Sequence, residues 1–250
     1  MQQYAAPKDL LNDKTILVTG SSDGIGRAIA IAYAKHGATV ILHGRNIERL
    51  EKLYDEIVQQ KLPKPAILPL DLKTATEHDF NNMAKTIATE LGQLDGIVHN
   101  AGMISELSPI EFTEATKWHE IIQVNLNAVF MLTQACLPLL RKSGSVMEPA
   151  SIITISSGVG KKGRAFWGAY AVSKFAIEGF TQVLADELEG TDVRINAINP
   201  GATRTKMRAT AYPAEDASKL TTAEQLAPIF LYLMGKDSSE INGQSLNAQG

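Results

Sequence analysis

Ser157, Tyr170 and Lys174 are the residues of this chain whose types and spacing best suit a reaction. Tyr170-Ala-Val-Ser-Lys174 sets a phenol and an ammonium four residues apart, on one face if the segment is helical. Ala169, Ala171, Phe175, Ala176, Ile177, Phe180, Val183 and Leu184, with no Pro among them, predict that helix. Ser157 ends a strand-like run, residues 151–157, so a hydroxyl, a phenol and an ammonium can converge at one strand end. Such a trio moves a proton to or from a carbonyl oxygen or an alcohol. A free phenol has a pKa of about 10, and its anion must gain about 4 kcal/mol to form near neutrality. An ammonium at ~4 Å supplies about that much at an effective dielectric of ~20. On this reading Lys174 tunes Tyr170, and Ser157 holds the substrate oxygen. Tyr-x-x-x-Lys also occurs at Tyr4 to Lys8, which contains Pro7, and at Tyr232 to Lys236, which runs through Gly235 at a helix end. Tyr170 differs from both in following a buried strand that ends in serine.

The elements that must position these groups alternate along the chain. Lys14 to Thr19 reads as a short buried strand, and a helix runs from Ile25 through Ala34. Between them lies Thr19-Gly-Ser-Ser-Asp-Gly-Ile-Gly26. Its glycines let the backbone turn tightly, and the amides at the helix start favour a phosphate. The same letters contain G-x-S-x-G, the elbow of a serine hydrolase with Ser22 as nucleophile. That alternative needs an oxyanion loop from an earlier strand and one of His36, His43, His78, His99 or His119 as base, and only a short polar segment precedes residue 14. A second strand, Ala38 to His43, leads through Gly44-Arg45-Asn46 into an amphipathic helix, Asn46 to Lys61. Where an acidic residue would take the ribose hydroxyls of NAD, this chain has Arg45. A cation at a helix start opposes the helix dipole unless an anion sits beside it, which points to the 2′-phosphate of NADP rather than to a surface pair with Glu48. Asp23 cuts the other way, since its charge would stand close to a phosphate. Further strands at Ala66 to Leu70, followed by Asp71-Leu72, and at Leu94 to His99, followed by Asn100-Ala-Gly102, imply a parallel sheet whose ligands gather at the carboxyl strand ends. Asp71 has a second reading as the cap of the helix that follows.

Composition bounds the rest. With 250 residues, 44% of them hydrophobic and 20% charged, the chain can bury a full core, and no linker or repeat divides it. One doubly wound α/β domain is expected. A formal charge of -3 argues against a nucleic-acid protein, which would usually show a basic face or run. No segment reads as a membrane span, and the single cysteine, Cys136, allows neither an internal disulfide nor a cysteine-rich metal cluster. A soluble cytoplasmic protein without a metal is expected.

Thr19-Gly-Ser-Ser-Asp-Gly-Ile-Gly26, Asp71, Asn100-Ala-Gly102, Asn125, Ser157, Tyr170 with Lys174, and Asn199-Pro-Gly201, in this order and spacing, resemble the short-chain dehydrogenase/reductase family over nearly the whole chain. The resemblance implies a single-domain, Rossmann-type parallel sheet with helices on both faces. It implies hydride transfer between NADP(H), preferred here over NAD(H), and a small-molecule carbonyl or alcohol, an acyl thioester among the candidates. Tyr170 would be the acid/base; Lys174 would lower its pKa and hold the ribose; Ser157 would orient the substrate oxygen, and Asn125 would anchor a water in the proton relay. The cofactor would lie against Gly20, Ser22, Asp23, Gly24, Ile25 and Gly26, then Arg45, Asp71, Leu72, Asn100, Ala101 and Gly102, with Tyr170 and Lys174. Pro200, Gly201 and Thr205 would border its nicotinamide side, and Thr203 would also contact the cofactor. Gly168-Ala-Tyr170, Gly44-Arg-Asn46 and Asn199-Pro-Gly-Ala-Thr-Arg-Thr205 place the chain nearest an uncharacterised bacterial oxidoreductase subgroup similar to 3-oxoacyl-carrier-protein reductases. His99 departs from the family's usual first Asn, and the chain leaves little tail after its last strand, Gln244 to Asn247.

Trp118 to Leu140 reads as one long, mostly apolar helix, and the resemblance suggests that it and the Tyr170 helix build the face of a homodimer or homotetramer. Residues 203–220 read as a polar, irregular lid. Lys161, Lys162, Arg164, Arg204, Lys206 and Arg208 would rim the pocket and attract an acidic substrate, and Phe166, Trp167 and Tyr212 would line it. A nucleotide-binding sensor of the same fold without turnover is a further alternative, disfavoured by the complete Ser/Tyr/Lys set.

Overall fold

The computed structural model describes residues 4–249. Short runs of β-branched and aliphatic residues form the strands: β1 (Thr15–Thr19), β2 (Thr39–Gly44), β3 (Ala66–Pro69), β4 (Gly96–His99), β5 (Ala150–Ile155), β6 (Val193–Asn199) and β7 (Ser245–Asn247). They pair in parallel throughout, in the order β3-β2-β1-β4-β5-β6-β7. The helices are α1 (Gly24–Lys35), α2 (Ile47–Gln59), α3 (Glu77–Glu90), α4 (Ala115–Ile122), α5 (Ala128–Ser143), α6 (Gly168–Glu187), α7 (Lys206–Ala211) and α8 (Ala227–Met234). Ile16, Val18, Val40 and Leu42 face α1, α2 and α8, where Ile29, Tyr33, Leu53 and Phe230 are buried. Their chain neighbours Leu17 and Ile41 face the other way, onto Phe80 of α3, Leu132 and Cys136 of α5 and Leu184 of α6. A sheet covered on both sides therefore needs continuous apolar strands rather than alternating ones. All seven strands end on one edge, and β1 lies between β2 and β4, where the chain reverses its direction of winding. A crevice forms there.

Three expectations need correction. The helix expected over Trp118 to Leu140 is instead α4, a π turn at Gln123–Asn127 and α5, running on to Ser143 with Pro138 inside. Gln123, Asn125 and Asn127 account for the break: their side chains bond outside the helical ladder, to Leu72 and Ala75, to Met103 and to Gln123 itself. That same body, Ala115–Ser143, is long and apolar enough to cross a membrane by length and composition, with mean hydropathy 1.3 over 18 residues. Its inner face, Val124, Ala128, Leu132, Cys136 and Leu140, belongs to the core. Lastly, residues 203–220 are not irregular throughout. Thr205 caps α7, Ala217–Lys219 forms a further turn, and a bridge between Thr203 and Thr221 closes the segment at its base.

Candidate active site

A cleft of about 420 Å³ lies over the carboxyl ends of the strands, and the glycine loop, the ends of β2 and β4, Ser157, Tyr170, Lys174 and the start of α7 line it. The glycine loop is shaped by what it touches. Gly20 and Gly24 take φ of +65° and +54°, which an L side chain resists. A Cβ on Gly26 would stand 2.4 Å from both the Asn100 Nδ2 and the Gly20 carbonyl oxygen. The Asn100 amide donates to the carbonyls of Thr19 and Gly20 at 2.9 and 3.2 Å, and the Thr19 hydroxyl accepts from the Ala101 amide. Asn100, expected to lie against the cofactor, thus first of all splints the loop. Asp23 caps α1, accepting from the Gly24 amide at 2.8 Å, and pairs with Lys206 at 2.5 Å and with Arg49 at 3.7 Å. The Lys206 contact holds the Asp23 carboxyl below its ordinary pKa.

The expected catalytic side chains converge. Ser157 sits on the turn after β5, where its hydroxyl accepts from the Val159 amide, and it favours the anion of Tyr170. Burial outweighs that help, so the Tyr170 phenol is pushed up from its usual value. Trp167 covers it, ring centroids 5.6 Å apart. Lys174 lies 5.5 Å from the centre of the Tyr170 ring and donates to the Ile155 carbonyl at 2.7 Å. Loss of water lowers the Lys174 ammonium to about 8. Lys174 thus stands near the phenol ring, as the spacing anticipates, and takes in addition a backbone anchor at the end of β5. Asn125, held in the π turn, is fully engaged: it accepts from the Met103 amide at 2.8 Å and donates to the Met103 carbonyl and the Ser173 hydroxyl, both at 3.0 Å. Gly102 leaves room at this junction, where an added Cβ would meet Asn125, Met207 and the Lys174 Nζ at 3.5 to 3.9 Å.

On the other side of the cleft, Arg45 is exposed and has no hydrogen bond or ion pair among the described residues, Glu48 included. Ser22 lies beside Gly44, within 3.6 Å of where a Cβ there would stand. No histidine or carboxylate is hydrogen-bonded to the Ser22 hydroxyl among the described residues, so no nucleophile and base assemble there. Asp71 caps the turn after β3 through the Lys73 amide, and Leu72 lines the cleft beside it. Neither serves α3, whose start is boxed by Thr76 and Asp79. Ile25 also lines the cleft. Gly201 takes φ +71°, and Thr203 is buried.

Three supporting residues escaped the sequence. Ser173 links Asn125 to the Tyr170 carbonyl. Gln123 holds the turn of Leu72 to Ala75. Gln249 donates to the carbonyls of Pro200 and Ala202 at 2.7 and 3.1 Å and accepts from Thr221 at 3.0 Å, so the short tail braces the nicotinamide-side loop. Of the three only Ser173 carried a signal, lying three residues from Tyr170. His43, weighed above as a base for Ser22, is buried near the end of β2, and among the described residues neither of its ring nitrogens is hydrogen-bonded.

Of the basic rim, Arg208 forms a two-point pair with Glu215 and stacks 3.8 Å over the Tyr212 ring. Arg164 donates to the Tyr212 hydroxyl at 2.8 Å, and Tyr212 lies 5.9 Å from Trp167. Lys161 instead reaches Ser245. Phe166 is exposed and does not line the cleft.

Residues 14–216 match the family model of short chain dehydrogenases. The chain is 49% identical over 246 residues to the uncharacterised oxidoreductase YciK of Escherichia coli K12, covering 98% of this chain and 96% of that one. It is 31% identical over 248 residues to the 3-oxoacyl-[acyl-carrier-protein] reductase FabG of Thermotoga maritima, covering 96% and 98%. A crystal structure of a short chain dehydrogenase from Escherichia coli CFT073, complexed with NADPH, superposes with a TM-score of 0.94 at 50% identity, covering 98% of this chain and all of that one. The parallel sheet, the glycine loop splinted by Asn100 and the Ser157, Tyr170 and Lys174 cluster thus stand in a chain that belongs to the short-chain dehydrogenase/reductase family of oxidoreductases.

Proposed function

We propose that this chain is an NADP(H)-dependent reductase or dehydrogenase acting on a carbonyl/alcohol pair, with Tyr170 as its acid/base. The observation that carries the reading is the meeting of Ser157, Tyr170 and Lys174 in the same cleft as a glycine loop and an unpaired Arg45. The residues fit a dinucleotide: Gly20 and Gly26 let the loop pack tightly on Asn100 and Ala101 at the start of α1, where helix amides favour a phosphate, and Arg45 offers a planar donor set with no acid to satisfy it among the described residues. The relative crystallised with NADPH supports the choice of cofactor. A bound nicotinamide supplies or accepts the hydride.

The chain's own residues then have distinct tasks. Ser157 presents its hydroxyl to the substrate oxygen beside the phenol. Tyr170, kept protonated by its burial, gives its proton to that oxygen when a carbonyl is reduced and takes one back when an alcohol is oxidised. Lys174, anchored on Ile155, places a positive charge near the phenolate and favours it. Asn125 fixes the π turn to Met103 and so sets the floor of the site. Trp167, Met207 and Ala211 give the substrate end an apolar wall, and residues 203–220 serve as its lid.

The test is NADPH-dependent reduction across a panel of ketones, aldehydes and 3-oxoacyl thioesters. Tyr170→Phe is expected to lower turnover by about 10²- to 10⁴-fold, the range of general acid catalysis, while NADPH still binds within about twofold of wild type. Turnover that survives in Tyr170→Phe would remove Tyr170 from its role.

A further inference from the structure

An acidic residue in a loop built for phosphate is hard to understand as a cofactor contact, and the structure shows what Asp23 holds. Its carboxylate receives Lys206 from the start of α7 at 2.5 Å and Arg49 from α2 at 3.7 Å. The contact spans the mouth of the cleft, joining residues 183 positions apart, and Thr205 stands only 3.4 Å from where a Cβ on Gly24 would lie. Lys206, Asp23 and Gly24 all line the cleft. The Lys206 side chain is 77% exposed and long enough to swing, whereas Asp23 is fixed by its bond to the Gly24 amide.

We propose that Asp23 stands in for a phosphate of the dinucleotide, and that on cofactor binding Lys206 passes from the Asp23 carboxylate to that phosphate, becoming a cofactor ligand carried by the lid. The inference rests on the functional reading above. A phosphate oxygen offers an ammonium the same charge-assisted bond as a carboxylate, with more charge behind it. The exchange links cofactor binding to the position of α7, since Lys206 is the first residue of that helix. The acid's charge is met by Lys206 and Arg49 before the exchange, and Arg49 remains beside it afterwards.

A double-mutant cycle read by NADPH fluorescence titration tests this, with Asp23→Asn, Lys206→Gln and both together. Asn caps a helix as well as Asp does and Lys206 is at the surface, so the variants are expected to fold, which circular dichroism checks. Asp23→Asn should tighten NADPH about threefold, and adding Lys206→Gln to it should weaken binding about fivefold, the scale of an exposed ion pair. Parallel titrations with NADH locate the phosphate: a Lys206 effect on both cofactors places it at the pyrophosphate, and one confined to NADPH places it at the 2′-phosphate. A Lys206→Gln step that costs nothing on the Asp23→Asn background overturns the proposal, as does an Asp23→Asn protein that binds no tighter than wild type. If the cycle is flat while Arg45→Ala still weakens NADPH, this inference fails alone. If wild type binds neither cofactor, the functional reading fails with it.

Discussion

Tyr170 and Lys174 form a pair because a helix brings positions four apart onto one face, and Ser157 at the end of the preceding buried strand distinguishes them from the other two Tyr-x-x-x-Lys pairs of the chain. Their electrostatics do not follow from that spacing. The spacing sets an ammonium near the phenol, but it does not show that Lys174 also bonds the Ile155 carbonyl or that burial raises the phenol. Which further neighbour a long side chain reaches depends on how α6 packs against β5, and no local pattern encodes that packing. Arg45 was readable for the opposite reason: an exposed cation at a helix start has few local partners, and here it has none among the described residues. Replacing it with Ala should weaken NADPH about tenfold, the scale of one charge-assisted contact, and leave NADH within about twofold. Equal losses for both cofactors, measured by titration, would take the 2′-phosphate away from Arg45.

At the scale of elements, the strand and helix pattern up to β4 followed from apolar runs punctuated by Gly and Asp, and it sits within a few residues of its expected bounds. The π turn at Gln123–Asn127 was invisible because its cause is lateral: Gln123 and Asn125 bond to loops about 50 and 22 residues away. Residues 203–220 read as irregular because a six-residue helix leaves almost no periodic trace, and only the Thr205 cap marks it. The glycine loop is the element most exposed to a single change. In Gly26→Ala the new methyl collides with Asn100 and the Gly20 carbonyl at 2.4 Å, so the splint must open. A loss of about 1–3 kcal/mol in stability is expected, with NADPH binding abolished; chemical denaturation and titration together check it. An alanine variant that binds normally would mean the loop has slack that its packing does not suggest.

For the molecule as a whole, a buried polar row under the cleft sets its response to acid. His43 and His99 lie at the ends of β2 and β4, the two strands that flank β1. Burial drives His43 down to about 4 and His99 to about 3. Both are neutral in the folded chain, while the unfolded chain protonates them near 6.5. The unfolded state therefore binds more protons below about pH 6.5, and stability falls as pH drops from there toward 4, by about 1.4 kcal/mol per unit for each histidine. His43→Leu removes an unbonded buried ring, and it should flatten that slope by one proton and leave the protein no less stable at pH 7. Melting temperatures from pH 4 to 7 measure both, and an unchanged slope would show that His43 is hydrated or charged in the folded chain.

The sheet order has a consequence for how the protein is made. The loop that would meet the phosphates begins at the first strand, yet the residues that splint it, Asn100 and Ala101, lie about 80 positions later, where β4 pairs with β1. On the ribosome, that loop must wait for some hundred residues to emerge before it can hold its shape, and contacts so far apart close slowly. A dinucleotide present during synthesis can therefore speed none of the early folding; it can only trap the product of a late step.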